Sequence, residues 1–121
     1  MTDSRKAVSP VEITMDVVGG KWKPLIIYFL LENKVMRFNE IQRAIPAATR
    51  RMITKHLREL EAHGIIHREV YAEVPPRVEY SLTEMGHTLT PVLDAMVRWG
   101  MMYIDNNPEL ELLSPEDMQN E

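Results

Sequence analysis

The chain of 121 residues contains no cysteine, and this absence excludes several kinds of chemistry at once. Without cysteine there is no disulfide, no thiol nucleophile, no thiolate zinc ligand and no cysteine redox switch. Long apolar segments are also missing, because the longest run, Leu25 to Leu31, is far shorter than the ~20 residues of a membrane span. Residues 1–8 carry charges at Asp3, Arg5 and Lys6 and lack the apolar stretch of a signal peptide. We therefore expect a cytoplasmic protein that contacts no membrane.

The sequence also lacks the patterns of catalytic and cofactor sites. There is no glycine-rich phosphate loop, and Thr83-Glu84 is better explained as a helix cap than as a nucleophile with its base. His56, His63 and His67 lie close in sequence, but helix, glycine and strand geometry separates them, and no nearby carboxylate has metal-ligand spacing. We expect no catalytic residue, no metal site and no cofactor.

Charge is unevenly distributed along a chain whose formal net charge is −4. Residues 34–58 carry seven basic side chains and one acidic side chain, whereas residues 81–121 carry eight acidic side chains and one basic side chain. Such a separation favours a polyanion-binding surface beside an acidic part, although solvated helix faces would give the same counts. With 45% apolar and 26% charged residues, we expect one domain over residues 1–105 and an acidic, mobile tail over residues 106–121.

The first half of the chain predicts helices joined by short turns. The predicted helices cover residues 11–18, 24–33, 38–45 and 49–63. Pro46 stops the third of them, Thr49 occupies the N-cap position of the fourth, and Gly64 ends it. Because only residues 46–48 join the third and fourth helices, the pair is a candidate helix-turn-helix.

An alternating pattern follows and predicts a two-stranded hairpin over residues 65–82. One face of the first strand takes Ile66, Val70, Ala72 and Val74, and the other takes His67, Glu69, Tyr71 and Glu73. Pro75-Pro76 forms the tip, and Val78, Tyr80 and Leu82 continue the alternation on the second strand.

A long last helix is predicted from its N-cap Thr83 to about Ile104, with bends at Gly86 and Pro91. Its apolar side chains form two stripes, Met85, Leu89, Val92, Met96, Trp99 and Tyr103 in one, and Leu93, Val97 and Ile104 in the other. One small domain does not need so much apolar surface, so the excess predicts a homodimer. A small-molecule effector pocket is the alternative, lined by Met15, Met96, Met101, Met102, Trp22 and Trp99, although such stripes are more often plain core.

This order of elements is that of a winged helix-turn-helix, a mainly α fold with a small β-hairpin wing (α+β). A three-helix core is flanked by an N-terminal helix and a long C-terminal helix, and the second helix of the turn motif enters the major groove of DNA. On a helical wheel of that helix, Ile53, Leu57 and Leu60 face the core. The opposite side carries Arg51, Thr54, Lys55 and Arg58, with Arg50 at its N-terminal edge.

Cations and hydroxyls on such a face suit the bases and phosphates of DNA. Arg77 follows the double proline and could reach DNA from the wing tip, or it could pair with a glutamate such as Glu73. Basic residues that flank the second helix could add contacts to the DNA backbone. The predicted DNA-binding residues are Thr49, Arg50, Arg51, Thr54, Lys55, Arg58, Arg77, Lys23 and Arg37.

Several strings resemble the HxlR-type winged-helix transcriptional regulators over residues 10–102. They include Gly19-Gly20-Lys21-Trp22-Lys23, Leu57-Arg58-Glu59-Leu60-Glu61 and Pro75-Pro76-Arg77-Val78-Glu79-Tyr80. The resemblance implies a bacterial or archaeal homodimer that binds operator DNA through helices of each subunit, with the first and last helices at the interface. The interface residues would then be Val11, Met15, Leu89, Val92, Leu93, Met96, Trp99 and Tyr103.

One departure from that family concerns how a signal is sensed. Many members carry a cysteine directly before the Pro-Val-Glu string and use it to sense electrophiles or oxidants, but here the position is Ser9. A serine forms no thiolate, so thiol sensing is not expected. A winged-helix module that binds protein through its apolar last helix remains an alternative, and the basic face of residues 51–58 argues against it.

Overall fold

A computed structural model describes residues 7–112 of the chain. In order, the elements are α1 (Pro10–Val18), α2 (Lys23–Asn33), β1 (Val35–Met36), α3 (Phe38–Ala44), α4 (Arg50–Ala62), β2 (Ile66–Tyr71), β3 (Arg77–Leu82), α5 (Glu84–His87) and α6 (Thr90–Asp105). The order of elements is that of the predicted mainly α fold with a hairpin wing. The distal part of the predicted tail, residues 113–121, lies outside the described residues.

The core is centred on α2, whose apolar run is buried on several sides as its sequence predicts. Ile26, Ile27 and Leu30 of α2 are fully buried, and they share the core with Ile41 of α3 and Ile53 of α4. Burial of a whole aliphatic side chain stabilises a fold by about 1.5–3 kcal/mol, so this cluster holds the helix-turn-helix on α2.

Both ends of α4 are fixed by local hydrogen bonds. The Thr49 hydroxyl accepts a hydrogen bond from the backbone N–H of Met52 at 3.1 Å, which confirms its role as N-cap. At the other end Gly64 adopts a φ of +74°, and the N–H of Ile65 donates to the carbonyl of Leu60 at 2.9 Å. This is the Schellman arrangement, in which a glycine in the left-handed region closes the helix and reverses the chain. The chain therefore leaves α4 directly into the wing.

The sheet has three antiparallel strands in the order β1-β3-β2. The predicted hairpin is present, with Ile66 opposite Leu82 and Tyr71 opposite Arg77. The additional strand β1 pairs Val35 with Ser81. The sequence does not predict β1, because a strand of two residues is too short to show alternation.

The predicted single last helix is wrong in one respect, since the structure divides it into α5 and α6. The Thr83 hydroxyl accepts a hydrogen bond from the Gly86 N–H at 3.0 Å and caps α5, a helix of only four residues. Pro91 then lies in the first turn of α6 instead of bending a continuous helix. Proline is favoured there because the N–H that it lacks has no partner in the first turn anyway.

Candidate DNA-binding surface

The side of α4 that faces away from the core is basic. Arg51 and Lys55 lie on its outermost strip, and both are exposed. They are separated by one helical turn, so their side chains project in nearly the same direction. Arg58 continues the basic face towards the C-terminal half of the helix. A helix with a cationic, solvent-facing strip and a buried opposite strip can enter the major groove.

The flank of α4 that faces α3 holds Arg50 and Thr54. The Arg50 guanidinium lies 4.3 Å from the ring centroid of Phe38, so a cation–π contact restricts its orientation. The Thr54 hydroxyl donates a hydrogen bond to the carbonyl of Arg50 at 2.9 Å. Its proton is therefore used within the helix, and its methyl group and oxygen lone pairs are what it offers to a base.

The opposite flank of α4 contacts α2, and this changes the role predicted for Lys23. The Lys23 side chain is only 9% exposed, and its Nζ lies 3.1 Å from Glu59 Oε1. His56 Nδ1 lies 3.5 Å from the same carboxylate oxygen. A hydrogen bond from Lys23 is the main reason that the pKa of Glu59 is lowered. Because the ammonium of Lys23 is buried in this ion pair, we remove Lys23 from the predicted phosphate contacts.

Arg77 is held within the wing itself. Its guanidinium lies 3.3 Å from a carboxylate oxygen of Glu73 and 3.6 Å from one of Glu79. The same group stacks over the ring of Tyr71, 4.1 Å from the ring centroid. The charge of Glu79 is the main cause that raises the pKa of Tyr71. Of the two roles considered for Arg77, the structure therefore shows the pairing with Glu73.

A cleft of about 480 Å³ separates α4 from the wing. It is lined by Phe38, Arg50, Thr54, Leu57, Arg58, Glu61, Arg68, Val78 and Tyr80. Arg68 was not among the predicted site residues. The sequence did carry a signal for it, because Arg68 interrupts the apolar alternation of Ile66 and Val70 on the first strand.

The predicted positions Thr49 and Arg37 are both exposed, and each is the N-cap residue of a helix in the turn motif. Arg37 precedes α3, where its backbone N–H donates to the Glu40 carboxylate at 2.8 Å. Helix N-termini attract anions through their free N–H groups. Both residues thus keep positions from which they can contact the DNA backbone.

The helices α1 and α6 expose several apolar side chains, which together we call the apolar face. Its exposed members include Val11 and Met15 of α1 and Met96, Trp99 and Tyr103 of α6. Trp99 is 60% exposed and stacks on Tyr103, with ring centroids 5.2 Å apart.

Other predicted interface residues belong partly or fully to the core of the subunit. Leu89 and Val92 are half-buried, and Leu93 is only 4% exposed. We therefore remove Leu93 from the predicted interface. Trp22 is also buried in the core, so it does not line the predicted effector pocket. The cavity found on α6 is open and is lined by Pro91, Val92, Ala95, Met96 and Trp99.

Residues 7–112 contain neither a candidate metal site nor a candidate membrane span. Over this range no group of three or more His, Asp or Glu side chains is arranged to hold a metal ion. No helix in the same range is long and apolar enough to cross a membrane.

Comparison with known proteins gives consistent matches. Residues 17–108 match the family described as HxlR-like helix-turn-helix. The chain is 55% identical over 102 residues to the uncharacterized HTH-type transcriptional regulator YdeP of Bacillus subtilis, covering 84% of this chain and 79% of the relative. It is 56% identical over 93 residues to an uncharacterized HTH-type transcriptional regulator of Methanothermobacter thermautotrophicus, covering 77% of this chain and 70% of the relative.

Solved structures agree in fold. The redox regulator HypR in its reduced form matches with a TM-score of 0.78 and 53% identity, over 84% of this chain and 100% of that chain. The putative HTH-type transcriptional regulator YtcD matches with a TM-score of 0.77 and 46% identity, over 81% of this chain and 99% of that chain.

Proposed function

Since the chain belongs to the HxlR-like helix-turn-helix family of transcriptional regulators, we propose that it binds operator DNA as a homodimer with α4 in the major groove. The observation that carries this proposal is the basic outer face of α4. Arg51 and Lys55 project from the exposed side of a helix that is capped at both ends and buried along its other side. A rigid helix of this kind can place arginine against the O6 and N7 atoms of guanine.

Contacts to phosphates would add affinity without reading sequence. Arg58 extends the basic face, and Thr49 and Arg37 are exposed at the starts of α4 and α3, where their side chains can contact a phosphate. The formal net charge of −4 does not oppose this, because the basic side chains concentrate in residues 34–58.

The apolar face of α1 and α6 supports the homodimer. Trp99, Tyr103, Met96 and Met15 are exposed there and would be removed from water by a second copy of the chain. A two-fold dimer presents two recognition helices about 34 Å apart, so we expect a pseudo-palindromic operator.

Control of this protein by oxidation of a cysteine is excluded from the proposal. The similar structure named redox regulator HypR is described in an oxidized and a reduced form, but this chain has no cysteine. Any effector acts by another route, for which the open cavity along α6 is the candidate.

The salt dependence of binding to duplex DNA tests the proposal. A dimer that neutralises several phosphates should show log affinity falling with log salt at a slope of roughly −5 or steeper. A variant with Arg51→Ala and Lys55→Ala should bind more weakly with a shallower slope, whereas Arg98→Ala, on α6, should behave as the parent. No binding at low salt, or binding that ignores salt, would contradict the proposal and favour a protein-binding module.

A further inference from the structure

We propose that the cleft between α4 and the wing holds a DNA phosphate, and that Arg68, not Arg77, is the contact of the wing to the DNA backbone. The inference rests on the proposed function, which supplies the DNA. It concerns a residue that neither the sequence analysis nor the family match assigns to binding.

Strand register places Arg68 on the side of the wing that faces the domain. Arg68 lies directly opposite Tyr80 in the β2–β3 pair, and residues opposite each other project from the same face of a sheet. Tyr80 is buried against the core, so this face is turned towards the body of the domain. Arg68 remains exposed because it lines the open cleft.

Two further arginines approach the same cleft from α4. Arg50 and Arg58 are separated by eight residues, with Thr54 midway, so they lie along one side of the helix. Glu61 is the acidic residue among the lining side chains, which leaves the cleft positively charged. The stack of Arg50 on Phe38 limits the freedom of one of these cations. A guanidinium that is already oriented loses less entropy when it binds a phosphate.

Apolar side chains in the walls of the cleft strengthen the electrostatic field of its arginines. Leu57, Val78, Tyr80 and Phe38 line it together with the cations. Charges beside low-dielectric walls are screened less than charges on an open surface. Within residues 7–112, no carboxylate oxygen lies within 4.0 Å of the Arg68 guanidinium. The cleft therefore suits the single negative charge of a backbone phosphate.

The other face of the wing is acidic and would repel DNA. Arg77 lies opposite Tyr71 on that face, where Glu69 is directly opposite Glu79. Glu73 and Glu79 both contact the Arg77 guanidinium, so two carboxylates neutralise one cation. A phosphate that approached Arg77 would have to displace these carboxylates. The two wing arginines thus differ in state: Arg68 faces an open basic cleft, and Arg77 is neutralised in place.

Arg68→Ala and Arg77→Ala form a matched pair for the test, because each removes one arginine from the wing. We expect Arg68→Ala to weaken binding at least about tenfold on operator and unrelated duplexes alike, since a phosphate contact carries no sequence information. The salt slope should become shallower by about one for each subunit. Arg68→Lys should restore the slope because it restores the charge. Arg77→Ala should leave the slope unchanged.

The outcomes separate this inference from the function on which it rests. If the parent protein binds DNA with the expected slope but Arg68→Ala behaves as the parent, the inference is overturned and the proposed function stands. A loss in Arg77→Ala equal to that in Arg68→Ala would overturn it too. If the parent protein binds no duplex DNA at low salt, the proposed function and the inference about Arg68 are both overturned. Thermal unfolding of each variant checks that the wing remains folded.

Discussion

Lys23 Nζ lies 3.1 Å from Glu59 Oε1, and this ion pair ties the first residue of α2 to the C-terminal half of α4, the proposed recognition helix. The lysine is nearly buried, whereas the glutamate is partly exposed. Burying an ammonium without a partner is costly, so the lysine depends on this carboxylate. The pair therefore fixes α4 against α2 along the flank that adjoins its basic outer strip.

Glu59→Gln should lower the free energy of unfolding at neutral pH. In acid the substitution should have little effect. The folded protein holds the pKa of Glu59 below its ordinary value of 4.5, chiefly through Lys23. A lowered folded pKa contributes stability above the unfolded pKa and loses it as the pH falls through the folded pKa. Urea unfolding between pH 7 and pH 3 measures the free energy of unfolding of the parent and of the variant. The difference between the two free energies should shrink as the pH falls below about 4.5.

Glu61→Gln is the matched control, because Glu61 lies on the same helix and is exposed. The free energy of unfolding of Glu61→Gln should stay close to that of the parent at every pH. A gap between Glu59→Gln and the parent that persists or widens in acid would contradict the role given to the pair.

Gly86→Ala should destabilise the protein by about 1–3 kcal/mol. A β-carbon at Gly86 would overlap the backbone carbonyl oxygen of Ile65, and backbone cannot move aside as a flexible side chain does. Gly100→Ala, in the middle of α6, has nothing within 4 Å of the added carbon and should gain roughly 0.5–1 kcal/mol. Chemical denaturation gives the free energy of unfolding of both variants. A change of the same sign in Gly86→Ala and Gly100→Ala would contradict this prediction.

Arg51→Ala should reduce affinity for the operator by about 1–3 kcal/mol while hardly changing weak binding to unrelated DNA. The reason is that a bidentate contact to a base edge distinguishes sequences, whereas a phosphate contact does not. Selection from a random duplex pool supplies the operator, and titration of operator and scrambled duplex supplies the two affinities. Equal losses on both would make Arg51 a phosphate contact instead.

Trp99→Asp should convert the dimer to a monomer and remove tight binding to a palindromic site. A charge at Trp99 would be buried without a partner in the proposed interface, and the stack on Tyr103 would also be lost. Val70→Asp, at a half-exposed apolar position on the wing, is the control and should remain dimeric. Sedimentation of the three proteins decides this, and a Trp99→Asp variant that stays dimeric would exclude the α6 face as the interface.

The sequence predicts most of the local structure of the turn motif because the signals there are short-range. Thr49 caps α4 and Gly64 ends it, and both effects depend on residues within one helical turn. The hairpin was predicted for the same reason, since alternation of side chains is visible along each strand. Strand β1 was not, because its two residues, Val35 and Met36, are defined only by pairing with a strand far away in sequence.

Tertiary contacts explain what the sequence could not predict at the candidate site. Lys23 looks like any basic surface residue until α4 brings Glu59 beside it. Leu93 lies in an apolar stripe whose pattern cannot tell a core contact from a subunit contact. Alternation already places Arg68 and Arg77 on different faces of the wing. Only the packed structure shows that Arg68 lines the cleft beside α4 and that Arg77 is paired with carboxylates.

The junction between α4 and the wing has a consequence for redesign. It is closed by main-chain hydrogen bonds, from Ile65 to Leu60 and from Thr83 to Ile65, together with the Thr83 hydroxyl. None of these bonds involves the side chain of Arg51 or Lys55. Residues 51 and 55 can therefore be randomised without altering the angle at which the helix and the hairpin meet. If α4 reads DNA as proposed, the chain is a ready framework for libraries of regulators directed at new target sites.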